Sequence, residues 1–148
     1  MSKFLSDLVV KDIDGDQWEL AEDLVYSSDL GGIITAPKGM QTDFASIPTF
    51  ATRLIHKNGL WDFGAIIHDY LYSTNAFDNR GKCDRILLEA MICKGVGVIR
   101  RQLIYRSVRL GGFVAWNAHA ARIRDEKVAE FKKQIGAEIM AGTHTKNL

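Results

Sequence analysis

The stretch Gln41-Thr42-Asp43-Phe44-Ala45-Ser46-Ile47-Pro48 is where the chain changes its period. Upstream, β-rich pieces alternate with turn signals; downstream, apolar residues recur at helical spacing. Gln41-Thr42-Asp43-Phe44 reads as the last extended piece. Ser46 reads as a helix cap, and Pro48 falls in the first turn, where a missing N–H costs nothing. The switch predicts an α+β fold. A small N-terminal antiparallel β-sheet over residues 8–45 packs on a bundle of four to five helices over residues 46–139.

Outward from this junction the elements follow in order. On the N-terminal side, residues 8–13 read as a strand, and Asp14-Gly15-Asp16 is a hairpin turn signal. Trp18 and Leu20 alternate with polar neighbours, and Leu24-Val25-Tyr26 is a third strand. Gly31-Gly32 interrupts the chain before a fourth, Ile33-Ile34-Thr35-Ala36, and Pro37-Lys38-Gly39 turns it again. On the C-terminal side, helices are expected over 46–55, 60–72, 80–94, 98–110 and from 113 towards 139. The second is apolar on most faces and therefore central. Gly111-Gly112 kinks or ends the fourth. Residues 140–148 read as a flexible tail, and the whole of 1–148 as one domain.

Composition narrows the classes. Hydrophobic residues make up 47% and charged residues 25% of the 148, which is globular usage and excludes wholesale disorder. No apolar run is long enough for a transmembrane helix, and the N-terminus lacks the apolar core of a signal peptide, so a cytoplasmic start is expected. Cys83 and Cys93 fall ten residues apart on one expected helix, about 15 Å by helix rise, too far to bridge. The net charge of +1 hides a split: residues 1–93 carry 8 basic and 14 acidic residues, residues 94–148 carry 11 and 4. The two halves attract each other within one fold, or the basic end serves an anionic partner, with nucleic acid left open.

Two short constellations carry what chemistry there is. In the first, Asp43 lies between a strand and a helix start, where a carboxylate accepts helix N–H groups or binds a cation. The second is His68-Asp69-Tyr70-Leu71-Tyr72, late in the apolar helix. His68 and Tyr72 are four apart and share a face, and polar groups on such a helix need partners. Asp84 begins the next helix and faces His68 if the two helices form an antiparallel hairpin. A carboxylate on one imidazole nitrogen fixes the tautomer and leaves the other as base or metal ligand. The same pattern also reads as a buried network that only orients the core. His119, among alanines, reads as a packing residue, and His56 as a helix-end cation. Arg100, Arg101, Arg106 and Arg109 spread around their helix, as a solvated surface or an anion contact.

The spacing His-Asp-x-x-Tyr resembles the catalytic helix of secreted phospholipase A2, where a second Asp on the neighbouring helix supports the His. The resemblance implies His68 as base, Asp69 as calcium ligand and Asp84 as the supporting carboxylate. The glycine-rich calcium loop and the flanking disulfide cysteines of that family are missing here. A zinc site needs about three ligands, which His68, Asp69 and either Asp43 or Asp84 would supply. The catalytic candidates are thus His68, Asp84 and Tyr72, and the metal candidates Asp43, His68 and Asp69, with zinc or calcium as the ion.

A wider resemblance rests on three ordered blocks. Residues 34–48 contain Thr-Asp-Phe-Ala-Ser-Ile-Pro after a Pro-Lys-Gly turn, residues 65–72 contain His-Asp-Tyr-Leu-Tyr, and residues 83–91 begin Cys-Asp. Over about residues 20–115 the chain resembles the domain-of-unknown-function 1353 family, encoded mostly by tailed bacteriophages and prophages. Thr42, Asp43, Ser46, His68, Asp69, Tyr72 and Asp84 match its polar signature; Cys83 stands where the family usually has alanine. The resemblance implies a phage origin and hands over no activity. Two readings follow. One is a virion component of the tail or tail tip, assembled in the host cytoplasm against other phage virion proteins or as a homo-oligomer. The other is a small metal-dependent hydrolase acting on the host envelope or in lysis.

Overall fold

Period-2 segments fold as short strands because alternate side chains then reach one buried face. In the computed structural model, which describes residues 1–14, 17–42 and 59–144 (side chains through residue 138), six strands precede three helices. The strands are β1 (Lys3–Phe4), β2 (Val10–Asp12), β3 (Trp18–Leu20), β4 (Leu24–Ser28), β5 (Gly32–Ala36) and β6 (Gln41–Thr42). They form two antiparallel three-stranded sheets, ordered β1-β4-β5 and β2-β3-β6. The single sheet expected from the sequence is therefore two. The chain changes sheet at Pro37-Lys38-Gly39, where Met40 N–H donates to the Pro37 carbonyl and Gly39 takes a positive φ of 83°. That turn delivers β6 to β3, with Trp18 opposite Thr42, instead of returning it to β5.

β4 carries the inward face of the first sheet. Leu24, Tyr26 and Ser28 are buried in alternation, opposite Ala36, Ile34 and Gly32 of β5. β2 and β3 pair across the Asp14-Gly15-Asp16 signal, Val10 opposite Leu20, as a hairpin requires. β1 was not expected; Phe4 holds it in place by packing 4.5 Å from the Tyr26 ring and 5.0 Å from Phe63, centroid to centroid.

The helices are α1 (Asp62–Ser73), α2 (Arg80–Cys93) and α3 (Val98–His144), with a 3-10 turn, Ala76–Asp78, between the first two. Asp62 lies in the first turn of α1, where its carboxylate accepts the Gly59 N–H at 2.9 Å and meets the positive helix end. Asn79 caps α2 by accepting the Lys82 N–H. α1 is central, as its apolar faces predict: Ile66, Ile67 and Leu71 meet Leu24, Tyr26 and Ile34 of the sheet and Ile86 of α2. On the other side Trp61, Ala65, Leu87 and Met91 pack with Ile104 and Val108 of α3. Each fully buried Leu, Ile or Met among them contributes roughly 1.5–3 kcal/mol of apolar transfer.

The expected bundle of four to five helices is not what the described residues form. The helix expected over 46–55 lies outside them. The two helices expected over 98–110 and 113–139 are one, the 47-residue α3, which runs on through His144 into the stretch read as a tail. A glycine in a helix interior costs only about 1 kcal/mol, so Gly111-Gly112 does not compel a break. Here Gly112 makes room for a neighbour, since a Cβ on it would stand 2.7 Å from the Tyr72 hydroxyl. No described helix is long and apolar enough to cross a membrane.

Candidate functional site

α1 and α2 are antiparallel neighbours across a short turn, and this brings Asp84, the fifth residue of α2, alongside His68 and Tyr72 in the second half of α1. Asp84 is fully buried there and His68 is 1% exposed. His68 Nε2 lies 3.0 Å from Asp84 Oδ1, and the Tyr72 hydroxyl donates to the same oxygen at 2.6 Å. Arg109 Nη1 of α3 donates to Asp84 Oδ2 at 2.7 Å, with Arg80 Nη1 3.5 Å from that oxygen. A carboxylate only accepts, so Nε2 carries the imidazole proton, and Nδ1 is the basic nitrogen of the neutral ring.

Burial pushes the Asp84 carboxyl upward, but hydrogen bonds from His68, Tyr72 and Arg109 outweigh it and hold the group below its ordinary value. Its partners respond in kind. The Arg109 guanidinium is raised by its bond to Asp84, and the Tyr72 phenol is pushed well up by burial and then by the same carboxylate. The neighbouring Cys83 thiol is pushed up to about 12, first by burial and then by Asp84. It is free and buried, and Cys93 is free and exposed. Arg80 also donates to the Arg109 carbonyl at 3.2 Å. One carboxylate thus ties α1, α2 and α3 together.

Asp69 is on another side of α1, about 100° of helix rotation from His68. Thr42 of β6 donates its hydroxyl to Asp69 Oδ2 at 2.6 Å. Both line an open pocket of about 310 Å³ with Met40, Gln41, Ser73 and His119. The His119 imidazole is held below its ordinary value by partial burial and by Arg122, with Asp69 opposing.

The structure therefore brings the three catalytic candidates His68, Tyr72 and Asp84 together. It places Asp69 apart, with Thr42, while Asp43 and Ser46 lie outside the described residues, as does His56. Among the described residues no group of three or more His, Cys, Asp or Glu is arranged to hold a metal ion. Three participants escaped the sequence reading. Arg109 and Arg80 find Asp84 only through tertiary packing, though Arg80 lies four residues before it on α2. His119 is a pocket wall. Arg101 likewise bonds within the molecule, donating to the Val96 carbonyl at 3.1 Å, so two of the four arginines of residues 100–109 are engaged by the chain's own acceptors.

Two small antiparallel sheets on a helical hairpin, closed by a buried carboxylate, define an α+β protein. Residues 18–108 match the model of the family described as protein of unknown function (DUF1353), and the chain belongs to that family. No curated protein and no solved structure matches it. The matched residues include His68, Asp69, Tyr72 and Asp84 and stop at Val108, so most of α3 lies beyond them.

Proposed function

We propose that this chain is an assembly component of a tailed-bacteriophage particle, in the tail or tail tip, folded in the host cytoplasm and carried in the virion. The observation that supports it is α3. From residue 124 through 138 every residue of this helix is exposed, including Val128, Phe131 and Ile135. The last side-chain bond joining it to the body among the described residues is Arg122 to the Ser73 carbonyl, at 3.3 Å. A helix without tertiary contacts is marginal in water, and apolar residues on its surface point to a partner. The Asp84 knot fits this reading as a rigid footing: it anchors α3, through Arg109, to both helices of the hairpin. The phage setting comes from the resemblance described above. Mass spectrometry of gradient-purified particles tests the reading; the chain is expected among the particle proteins, and its absence from them overturns the proposal.

A second reading, a small metal-dependent hydrolase, is favoured by one arrangement. Asp84 fixes the His68 tautomer from the neighbouring helix, as the phospholipase A2 resemblance implies, and Asp69 faces an open pocket. In this reading His68 Nδ1 is the base and Asp69 a calcium or zinc ligand. Hydrolysis of phospholipid vesicles or purified cell wall, with each ion added, tests it. Activity that Asp69→Asn abolishes without unfolding the protein supports the enzyme; no turnover with either ion or substrate removes it.

A further inference from the structure

The exposed part of α3 carries its own complement. Val128, Phe131 and Ile135 are spaced by three and four, the stripe of a helix that packs along a second helix, and they are 46%, 61% and 39% exposed. Val114 and Ala121 continue the same stripe at intervals of seven towards the body, and Val114 too is exposed. Asp125 and Lys132, seven apart, flank one side of it, and Lys127 flanks the other. If a second copy of α3 runs parallel, Lys127 faces Lys132 of that copy, a repulsive pair. If it runs antiparallel, Val128 meets Phe131 of the second copy, and Asp125 of each copy faces Lys132 of the other. The three charges that flank the stripe, Asp125, Lys127 and Lys132, are thus self-complementary in the antiparallel sense alone.

We infer that the partner of the distal α3 is a second copy of this chain, packed antiparallel along residues 121–138 in a two-fold dimer. The interface is isologous, with the two bodies at opposite ends of a helical pair about five turns long. A groove of about 410 Å³ lies where α3 leaves the body, lined by Asn75, Ile123, Arg124, Val128 and Phe131. It is continuous with the stripe and receives the C-terminal turns of the other helix. The inference rests on reading α3 as an assembly element, but its test is separate from particle composition.

Sedimentation velocity of the full-length chain at tens of micromolar is the experiment, with circular dichroism to confirm folding of each variant. The wild type is expected to sediment as a dimer. Phe131→Glu is expected to give monomers with the helical spectrum of the body retained. Asp125→Lys is expected to dissociate the dimer, and the double variant Asp125→Lys with Lys132→Asp to restore it. A monomeric wild type overturns the inference, including the case in which a different particle protein covers the helix. So does a Phe131→Glu dimer, or a charge swap that fails to rescue. A monomer that is nonetheless found in particles leaves the assembly reading standing; a dimer absent from particles does the reverse.

Discussion

Gly112 and Tyr72 approach so closely that a Cβ on the glycine would lie 2.7 Å from the Tyr72 hydroxyl and 3.3 Å from its ring. The hydroxyl cannot retreat, because it donates to Asp84 at 2.6 Å, and Trp116, one turn further along α3, meets the same ring edge-on at 5.2 Å. Gly112→Ala is therefore expected to destabilise the protein. Overpacking of about 1–3 kcal/mol outweighs the gain of about 1 kcal/mol that alanine brings to a helix interior. Gly136→Ala, in the same helix with nothing within 4 Å of its Cβ, has only the gain. Chemical denaturation of Gly112→Ala and amide exchange of the distal helix in Gly136→Ala check the contrast. Opposite signs are expected, and a stabilised Gly112→Ala would show that Tyr72 is free to move.

Asp84 sets the acid limit of stability. Its folded value is depressed, so the folded state binds the proton less readily than the unfolded chain. The stabilisation is then full above the unfolded value of about 3.9 and is lost as pH falls through the lower folded value. Asp84→Asn is expected to lose about 3 kcal/mol at neutral pH, at the lower end for breaking a buried pair because Arg109 reaches solvent. It is also expected to flatten the stability profile below about pH 4. Denaturant midpoints at pH 7 and across the acid range check both; an unchanged acid slope in Asp84→Asn would assign acid sensitivity to other carboxylates.

How much of this was legible in the sequence depends on how local each signal is. β4 and β5 show their alternation, and α1 its apolar faces, within a few residues. The His68–Tyr72–Asp84 cluster was legible because i, i+4 spacing and a short connection constrain it. β1 was not, since Lys3-Phe4 has no pattern of its own and is held by rings from Tyr26 and Phe63. Gly111-Gly112 misled because a glycine that ends a helix and one that admits a neighbour look identical in sequence. Arg109 was invisible for the same reason: its partner lies 25 residues away on another helix. The pocket is assembled from β6, α1 and α3, so neither its existence nor the place of His119 on its wall had a local signature.

Across that pocket Asp69 and His119 influence each other. His119 is held below its ordinary value by burial and Arg122, and Asp69 acts against both. Removing the carboxylate removes the opposing influence, so Asp69→Asn is expected to move the His119 midpoint further down. Arg122→Gln is expected to move it up. Imidazole resonances followed by NMR between about pH 5 and 8 report the midpoint directly. A His119 midpoint indifferent to Asp69→Asn would show that the two groups are not coupled across the pocket.

Glu89 holds the sheet to α2 and is the last test. Its Oε2 accepts from the Ser28 hydroxyl at 2.5 Å and the Tyr26 hydroxyl at 3.1 Å, and its Oε1 accepts the Asp29 N–H at 2.9 Å. Ser28 Oγ in turn accepts the amides of Leu30 and Gly31, so the whole β4–β5 turn hangs on one carboxylate of α2. Tyr26 is fully buried and Ser28 nearly so. Glu89→Ala leaves both hydroxyls short of an acceptor, at about 1–3 kcal/mol for each unsatisfied group. A loss of about 2–4 kcal/mol is expected after partial relaxation, with faster amide exchange at Leu30 and Gly31. Glu89→Gln keeps an acceptor oxygen in place and is expected to lose about 1 kcal/mol. A Glu89→Ala protein as stable as the wild type, with protected Leu30 and Gly31 amides, would show that the turn stands without α2.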